Sequence, residues 1–342
     1  MSWQKLLNKS VTSCTDLERI FAYDFSGLER VTQKYPMRIN PYYLNLIKKH
    51  GDPIWKQVVP DIKELHDDVC YEDPLDEENL SPVPNLIHKY PDRVLFLVHN
   101  QCAVYCRFCT RKRKVGTKRM EISDRTISAG LDYIKKTTAV RDVLVSGGDP
   151  FLLSDERLDA ILSEIRAIGT VEIIRIGTRV PCVLPMRITK KFSQMLKKHH
   201  PLYINTHFNH PDEITLQAAT ACGRLVDAGI QVGCQTVLLK GVNDSAEVMK
   251  NLMHRLLQIR VKPYYIFQTD MAKGTNHFRT TVDHGLDIMK QLIGHTSGMA
   301  VPTYAIDAPQ GGGKIPLLPD YCIERGEKMT FKNYCGRICE YF

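Results

Sequence analysis

The residues best suited to do chemistry are three cysteines in the segment Cys102-Ala103-Val104-Tyr105-Cys106-Arg107-Phe108-Cys109. Spacers of three and two residues can bring three thiolates into one tight loop. Soft thiolates suit iron–sulfur clusters or zinc. Structural zinc sites usually have four ligands, commonly two pairs, and the sequence contains no matching second pair. Three thiolates on a four-iron cluster would leave one iron open to a non-protein ligand.

This spacing resembles the signature of the radical S-adenosylmethionine (SAM) superfamily. There, the open iron binds SAM, and the cluster donates an electron that splits SAM into methionine and a 5′-deoxyadenosyl radical. The resemblance implies that Cys102, Cys106 and Cys109 bind a [4Fe-4S] cluster. It also implies an external electron donor, such as a flavodoxin or a ferredoxin. A zinc site or a chance spacing is the alternative.

A glycine-rich turn, Ser146-Gly147-Gly148-Asp149-Pro150, follows the next apolar run. Glycines let a backbone approach a ligand, and a carboxylate can accept a hydrogen bond from an ammonium group. Alone, this sequence would be an ordinary turn. Because it comes one predicted strand after the cysteines, it resembles the superfamily's loop for the SAM amino group. That resemblance implies that Gly147, Gly148 and Asp149 bind SAM.

A second unusual segment is Asp307-Ala308-Pro309-Gln310-Gly311-Gly312-Gly313-Lys314-Ile315-Pro316. From the residues alone, a flexible surface loop is the simpler interpretation. A buried lysine can instead become an uncharged nucleophile that forms a Schiff base. Three glycines before Lys314 would let it approach a bulky cofactor.

From about Glu72 through about Tyr334, the chain resembles the lysine 2,3-aminomutase family. The supporting segments are His88-Lys89-Tyr90-Pro91-Asp92-Arg93, Asn205-Thr206-His207-Phe208-Asn209-His210-Pro211, Gln235-Thr236-Val237-Leu238-Leu239-Lys240-Gly241-Val242-Asn243-Asp244, His277-Phe278-Arg279-Thr280 and Gly294-His295-Thr296-Ser297-Gly298. The resemblance implies an isomerase that converts L-lysine to β-lysine by a radical 1,2-amino shift. Another amino acid as substrate is the alternative, and the β-lysine could serve to modify translation elongation factor P.

The resemblance also implies a pyridoxal phosphate (PLP) site. Lys314 matches the family's lysine that holds this cofactor, which makes it the expected catalytic residue. Tyr90, Arg93 and Gln235 match positions around PLP. Phe267 stands where the family often carries a tyrosine near the pyridoxal ring.

Free lysine held through its α-amino group leaves a carboxylate and an ε-ammonium group to be recognised. By resemblance, Arg111 binds the carboxylate, and Asp270 and Asp307 bind the ammonium group. A buried ammonium needs such acceptors. Glutamate-specific relatives replace these aspartates, so their presence favours lysine. The remainder of the basic run, residues 111–114, is expected to be solvated.

The elements that must position these residues start at Arg93. Six short apolar runs predict strands: Val94–Val98, Val143–Ser146, Val171–Ile176, Leu202–Thr206, Val232–Leu239 and Tyr264–Phe267. Amphipathic stretches between them predict helices, one beginning at Ser154 as its N-cap. This alternation predicts an α/β fold with a parallel sheet, and chemistry at the C-terminal ends of its strands. The alternation of strands and helices does not distinguish a doubly wound sheet from a barrel. The family resemblance implies a partial (β/α)6 barrel of the radical SAM type.

Three parts are expected along the chain. Residues 1–92 would form an N-terminal helical extension, residues 93–298 the radical SAM partial barrel, and residues 299–342 a C-terminal segment with the PLP lysine. The sequence ends at Phe342 without the cysteine-rich tail that binds structural zinc in longer relatives. Ser245 occupies the position of a further zinc-binding cysteine. We therefore expect a short form without structural zinc, and a homo-oligomer is an open alternative.

The amino-acid composition and the net charge indicate which other classes of protein are possible. The 342 residues are 43% hydrophobic and 25% charged, as in ordinary soluble proteins. No signal peptide and no apolar run of roughly 18 residues are visible, so a cytoplasmic protein without membrane contact is expected. The net charge of +8 is compatible with binding to nucleic acid. Because the sequence contains no nucleic-acid-binding motif, a small-molecule substrate is expected instead. The other eight cysteines are expected to be small buried side chains.

Overall fold

A computed structural model describes residues 2–342. Its main feature is a nine-stranded sheet in the order β1 to β9. The strands are β1 Leu86–Tyr90, β2 Arg93–His99, β3 Asp142–Gly147, β4 Ile173–Gly177, β5 Leu202–Thr206, β6 Gln231–Leu238, β7 Lys262–Gln268, β8 Thr303–Ala308 and β9 Gly313–Leu317. Strands β2 to β8 run parallel, whereas β1 and β9 are antiparallel edges. The sheet forms a nearly closed partial barrel.

The six predicted strands are confirmed as β2 to β7, and the α/β partial-barrel prediction is confirmed with them. Strands β1, β8 and β9 were not predicted. Strand β9 contains Gly313 and Pro316, which are tolerated because β9 lies at an edge of the sheet. The sheet thus includes a strand before residue 93 and two strands after residue 298.

Helices cover the outside of the barrel and the region before it. They are α1 Trp3–Asn8, α2 Cys14–Phe21, α3 Glu29–Lys34, α4 Pro41–Leu44, α5 Pro53–Val58, α6 Asp124–Lys136, α7 Asp155–Arg166, α8 Val180–Val183, α9 Lys190–Lys197, α10 Leu216–Asp227, α11 Ala246–Gln258 and α12 Val282–Leu292. The predicted start of α7 is confirmed, since the Ser154 hydroxyl accepts a hydrogen bond from Arg157 N. Ser245 caps α11 in the same way, which gives this residue a structural role of its own.

Burial along the strands shows which face supports the fold. In β3, Val143 and Val145 are fully buried, whereas Leu144 and Ser146 are only half-buried. Successive side chains of a strand point to opposite faces. One face therefore packs in the main hydrophobic core, and the other keeps accessible surface for a site.

A small antiparallel sheet follows the barrel, formed by β10 Cys322–Glu324, β11 Met329–Lys332 and β12 Ile338–Tyr341. Three of its cysteines correct the expectation of buried thiols, because Cys335 is exposed and Cys322 and Cys339 are half-exposed. The five other scattered cysteines are buried as predicted. The reason is that these short strands pack on no deep core.

Within residues 2–342, no helix combines the length and the apolar character needed to span a bilayer.

Candidate active site

The cysteine loop, residues 102–109, begins just after β2 and lies at the C-terminal end of that strand. The region before the barrel holds it in place through backbone contacts. Tyr105 N donates to Arg38 O at 2.9 Å, and Arg107 N donates to Gln57 O at 2.8 Å. The N-terminal helical region is therefore part of the scaffold of the cysteine loop.

Buried charges fix the same loop from a second direction. Glu64 accepts hydrogen bonds from Arg107 Nε at 2.9 Å and from Lys112 Nζ at 2.7 Å. All three side chains are almost fully buried. Burial alone would raise the pKa of Glu64, but the two cations hold it below its ordinary value. Burial lowers the pKa of Lys112 to about 8.

The three thiols lie in a common electrostatic environment. Burial, followed by the charge of Cys106, raises the pKa of Cys109 to about 11. Burial also raises the pKa of Cys102, and Asp149 adds to the increase. Arg179 Nη1 donates to Cys106 Sγ at 2.7 Å. Metal binding displaces thiol protons, so a bound cluster would reverse these directions.

The donor set fits a cluster better than a single ion. Among residues 2–342, no group of three or more His, Cys, Asp or Glu side chains is arranged to hold one metal ion. A structural zinc would draw four ligands to about 2.3 Å. In a four-iron cluster each thiolate binds a different iron, so the sulfurs stand further apart. Three cysteines in one loop are a donor set that a four-iron cluster with one open iron can use.

The glycine-rich turn after β3 packs against the cysteine loop. A Cβ on Gly147 would overlap the carbonyl oxygen of His99, and one on Gly148 would overlap that of Gln101. Asp149 N donates to Gln101 O at 2.8 Å. The sequence suggested glycines that admit a ligand. In the structure their visible role is to admit the backbone that leads into the cysteines.

Asp149 is buried, and its carboxylate has partners within the protein. It accepts from the Thr178 hydroxyl at 2.7 Å, Arg179 N at 2.8 Å and Phe151 N at 3.1 Å. Burial raises its pKa to about 6. Asp149 thus ties the loop after β3 to the loop after β4. Binding of the SAM amino group by residues 147–149 stays a prediction.

Arg179, which the sequence reasoning missed, completes this end of the barrel. Besides Cys106, its guanidinium donates to Gln57 Oε1 at 2.6 Å and to Glu213 Oε1 at 2.7 Å. Its buried Nε has no hydrogen-bond partner among residues 2–342. The available signal was its position at the C-terminal end of a predicted strand. An unused buried donor next to a thiol fits a site that accepts a polar ligand.

His207, at the end of β5, is a second missed residue. It contacts Asn209 Oδ1 through Nε2 at 2.9 Å, and its ring centroid lies 5.5 Å from that of Phe108 in the cysteine loop. Burial, with the charge of Arg179, lowers its pKa to about 3. A neutral imidazole therefore lies beside the cysteine loop.

The lysine turn, residues 309–314, connects β8 to β9 at the closing edge of the barrel. Strands β8 and β9 form a hairpin that places Lys314 directly opposite Asp307, with Nζ 2.7 Å from Oδ2. Lys314 N donates to the Tyr90 hydroxyl at 2.9 Å. Since Tyr90 belongs to β1 and Lys314 to β9, the two edges of the sheet meet at this contact.

The surroundings of Lys314 fit a PLP site. The guanidinium of Arg93 lies 3.9 Å from the Tyr90 ring centroid, and the ring of Phe267 lies 4.9 Å from Lys314 Nζ. Gln235 is half-buried in β6 and pairs with Tyr265 of β7. The Lys314 side chain is 37% exposed, and its amino group forms an ion pair with the cross-strand carboxylate of Asp307.

The basic run, residues 111–114, is not solvated as the sequence predicted. Arg111 is bound to Glu77 with Nε–Oε distances of 2.8 and 2.9 Å. Arg113 lies 3.0 Å from Asp73, with its side chain 11% exposed. Lys112 and Lys114 are also paired with carboxylates. The expectation of a solvated run was wrong because acidic residues earlier in the chain neutralise it, and no free basic patch for nucleic acid remains at this run.

Asp270 and Asp307 line one cavity of about 730 Å³, a volume typical of small-molecule sites. Within residues 2–342, the Asp270 carboxylate receives no hydrogen bond, whereas Asp307 is paired with Lys314. Burial and the charge of Asp307 raise the pKa of Asp270 to about 7, and Lys314, Lys89 and Arg111 act against that increase. The structure thus brings the two predicted aspartates together, with Arg111 within electrostatic reach.

Comparisons with known proteins agree with this geometry. The radical SAM superfamily model matches residues 96–253, and a lysine-2,3-aminomutase model matches residues 289–342. The L-lysine 2,3-aminomutase of Methanococcus maripaludis is 50% identical over 99% of this chain and 80% of that protein. The chain belongs to the lysine 2,3-aminomutase family.

Members of this family act on different amino acids. The L-lysine 2,3-aminomutase of Acetoanaerobium sticklandii is 51% identical over 92% of this chain and 77% of its own length. The glutamate 2,3-aminomutase of Clostridioides difficile is 46% identical over 98% of this chain and 81% of its own length. The protein is therefore an isomerase that uses a [4Fe-4S] cluster, SAM and PLP on a small-molecule substrate.

Proposed function

We propose that the protein is an L-lysine 2,3-aminomutase, which converts L-lysine to β-lysine. The observation that carries this proposal is the carboxylate pair on the cavity wall. Asp270 is half-buried and its carboxylate receives no hydrogen bond among residues 2–342, and Asp307 lies close enough to raise its pKa. Two such carboxylates favour a cationic partner, because like charges repel and an ammonium group relieves both.

The same charges argue against glutamate. A glutamate side chain would bring a third carboxylate to Asp270 and Asp307, and the repulsion in a half-buried site exceeds that between the same charges in water. Arg111 is already engaged by Glu77 and offers one cationic group for one substrate carboxylate. L-Lysine, with one carboxylate and a distant ammonium group, matches this distribution of charge.

Each proposed site residue then has a role. Cys102, Cys106 and Cys109 would hold the cluster, and Lys314 would hold PLP. When bound, the cluster and SAM would supply hydrogen-atom abstraction and return, and PLP would supply a conjugated π-system that delocalises the unpaired electron while the amino group migrates. The remaining contributions come from the protein itself.

Those contributions are binding and orientation. Arg111 would bind the α-carboxylate, and Asp270 and Asp307 would bind the ε-ammonium group. Fixing both ends of the substrate orients its β-carbon, and such positioning can contribute several kcal/mol to a reaction barrier. The stacked rings of Tyr265 and Phe267, with centroids 4.8 Å apart, present an apolar wall near Lys314.

An anaerobic assay tests the proposal. Protein reconstituted with iron and sulfide would receive PLP, SAM, a strong reductant and either L-lysine or L-glutamate, and the products would be separated by chiral chromatography. We expect β-lysine from L-lysine and no β-glutamate from L-glutamate. Product from glutamate alone would contradict the proposal and place the chain with the glutamate-specific member. SAM cleavage without either product would discard both substrates but keep a radical enzyme.

A further inference from the structure

Glu77 is a buried charged residue that the proposed reaction does not yet use. Its carboxylate binds the Arg111 guanidinium through Nε at 2.8 and 2.9 Å and through Nη2 at 2.5 Å. The Glu77 side chain is 7% exposed and that of Arg111 is 17% exposed. Among residues 2–342, Arg111 Nη1 donates no hydrogen bond, although it is not fully buried.

The geometry of the pair leaves a defined face of Arg111 available. A guanidinium can bind a carboxylate side-on through Nε and one Nη, or end-on through both Nη atoms. Glu77 occupies the side-on face. The end-on face, with Nη1 and the second hydrogen of Nη2, can still bind another carboxylate.

Glu77 is itself held by the acidic segment, residues 72–78. Glu78 N donates to Asp73 Oδ2 at 2.9 Å, and Arg113 of the basic run lies 3.0 Å from the same residue. At the other side of the segment, Gln310 N of the lysine turn donates to Pro74 O at 3.0 Å. The segment therefore connects the basic run to the lysine turn, which fixes Glu77 between the two halves of the site.

We propose that Glu77 is a positioning residue that orients Arg111, so that the end-on face of the guanidinium meets the substrate carboxylate. The proposal rests on the proposed function, since it assumes that Arg111 binds this carboxylate. Glu77 acts through the guanidinium and does not touch the substrate. It also offsets the charge of a partly buried arginine, which would otherwise be costly to keep unpaired.

Equilibrium dialysis tests this role without turnover. Protein loaded with its cluster and PLP, but given no reductant, would be dialysed against L-lysine or against L-lysinamide, which lacks the carboxylate. In Glu77→Gln, we expect affinity for L-lysine to fall about tenfold or more, because a neutral amide holds the guanidinium less firmly. Affinity for L-lysinamide should stay within about twofold, since the ligand has no carboxylate for Arg111 to bind.

Glu78→Gln is the matched control. It removes the same charge from the neighbouring residue, whose side chain is 60% exposed and contacts Arg113 and Lys114 rather than Arg111. Both ligands should bind this variant as they bind the wild type.

The outcomes separate the two proposals. Unchanged binding of L-lysine by Glu77→Gln would overturn the positioning role. Tighter binding would also overturn it, because it would show that Glu77 competes with the substrate for Arg111. An equal loss for both ligands would reduce Glu77 to a structural role and would also overturn it. If the wild type does not bind L-lysine, the lysine assignment fails first and the role of Glu77 fails with it. If the wild type binds L-lysine no better than L-lysinamide, Arg111 does not recognise the carboxylate, and the role of Glu77 fails while the lysine assignment stands.

Discussion

The cysteine loop and the lysine turn lie at two sides of one barrel and are built differently. The cysteine loop is enclosed, since Arg107, Lys112 and Arg179 are all nearly buried and paired around it. The lysine turn lies on an edge hairpin, and Lys314 keeps 37% of its side chain exposed. Its Lys314 N donates a hydrogen bond to the Tyr90 hydroxyl on the other edge of the sheet.

This difference corresponds to two chemical demands. A redox cluster needs ligands whose positions and charge environment do not change, and a buried ionic network provides that rigidity. A lysine that carries a cofactor must be reached by that cofactor and by the substrate, so an accessible hairpin suits it. Three predictions follow from the comparison.

The largest loss of activity should come from removing a cofactor-binding residue of the cysteine loop or of the lysine turn. Cys106→Ala and Lys314→Ala should each lower β-lysine formation about a thousandfold or more, because each removes a group that holds a cofactor. Their spectra should differ: Cys106→Ala should lose iron but keep protein-bound pyridoxal absorbance, and Lys314→Ala should do the reverse. Iron analysis and absorbance spectra measure both quantities.

Cys335→Ala is the control, since this thiol is exposed and lies far along the chain from the loop. It should keep both cofactors and full activity. If either anchor variant lost both cofactors, the two sides of the barrel would not be independent.

An intermediate effect should come from the ionic network beneath the cysteine loop. Glu64→Gln leaves Arg107 and Lys112 buried without their carboxylate, so we expect a loss of about 3 kcal/mol in the free energy of unfolding. Glu172→Gln breaks an exposed pair with Arg141 and should leave the free energy of unfolding nearly unchanged. Anaerobic urea unfolding of the cluster-free protein measures both. Equal midpoints for the two variants would show that burial does not distinguish these pairs.

The smallest effect should appear on the accessible side as a pH dependence. The pKa of Asp270 is raised to about 7, so this carboxylate is protonated below that pH and ionised above it. The lysine ε-ammonium group stays charged throughout this range. Affinity for L-lysine should therefore rise about tenfold between pH 6 and pH 8, as roughly a tenth of Asp270 is ionised at the lower pH.

Equilibrium dialysis across this pH range measures the effect, and Asp270→Asn should flatten it. An equally steep dependence in that variant would assign the titration to another group.

Much of the architecture was accessible from the sequence. Alternating apolar and amphipathic stretches predicted β2 to β7, and the Ser154 cap marked the start of α7, because both signals depend on residues close together in the chain. The spacing of the cysteines likewise placed them in one loop after β2. Strands β1, β8 and β9 were missed although they are at least as long as β4 and β5. Three of the five residues of β1 are only half-buried, and β9 contains Gly313 and Pro316, which interrupt a strand pattern.

Only the tertiary structure decided which charged groups meet. Asp307 faces Lys314 because β8 and β9 form a hairpin, and Glu77 reaches Arg111 across 34 positions of the sequence. Arg179 reaches Cys106 from a loop 73 positions away. The sequence by itself determined the groups that could hold cofactors and the strands that carry them. Their partners depended on the folded chain, because electrostatic interactions act over distances in space and not along the sequence.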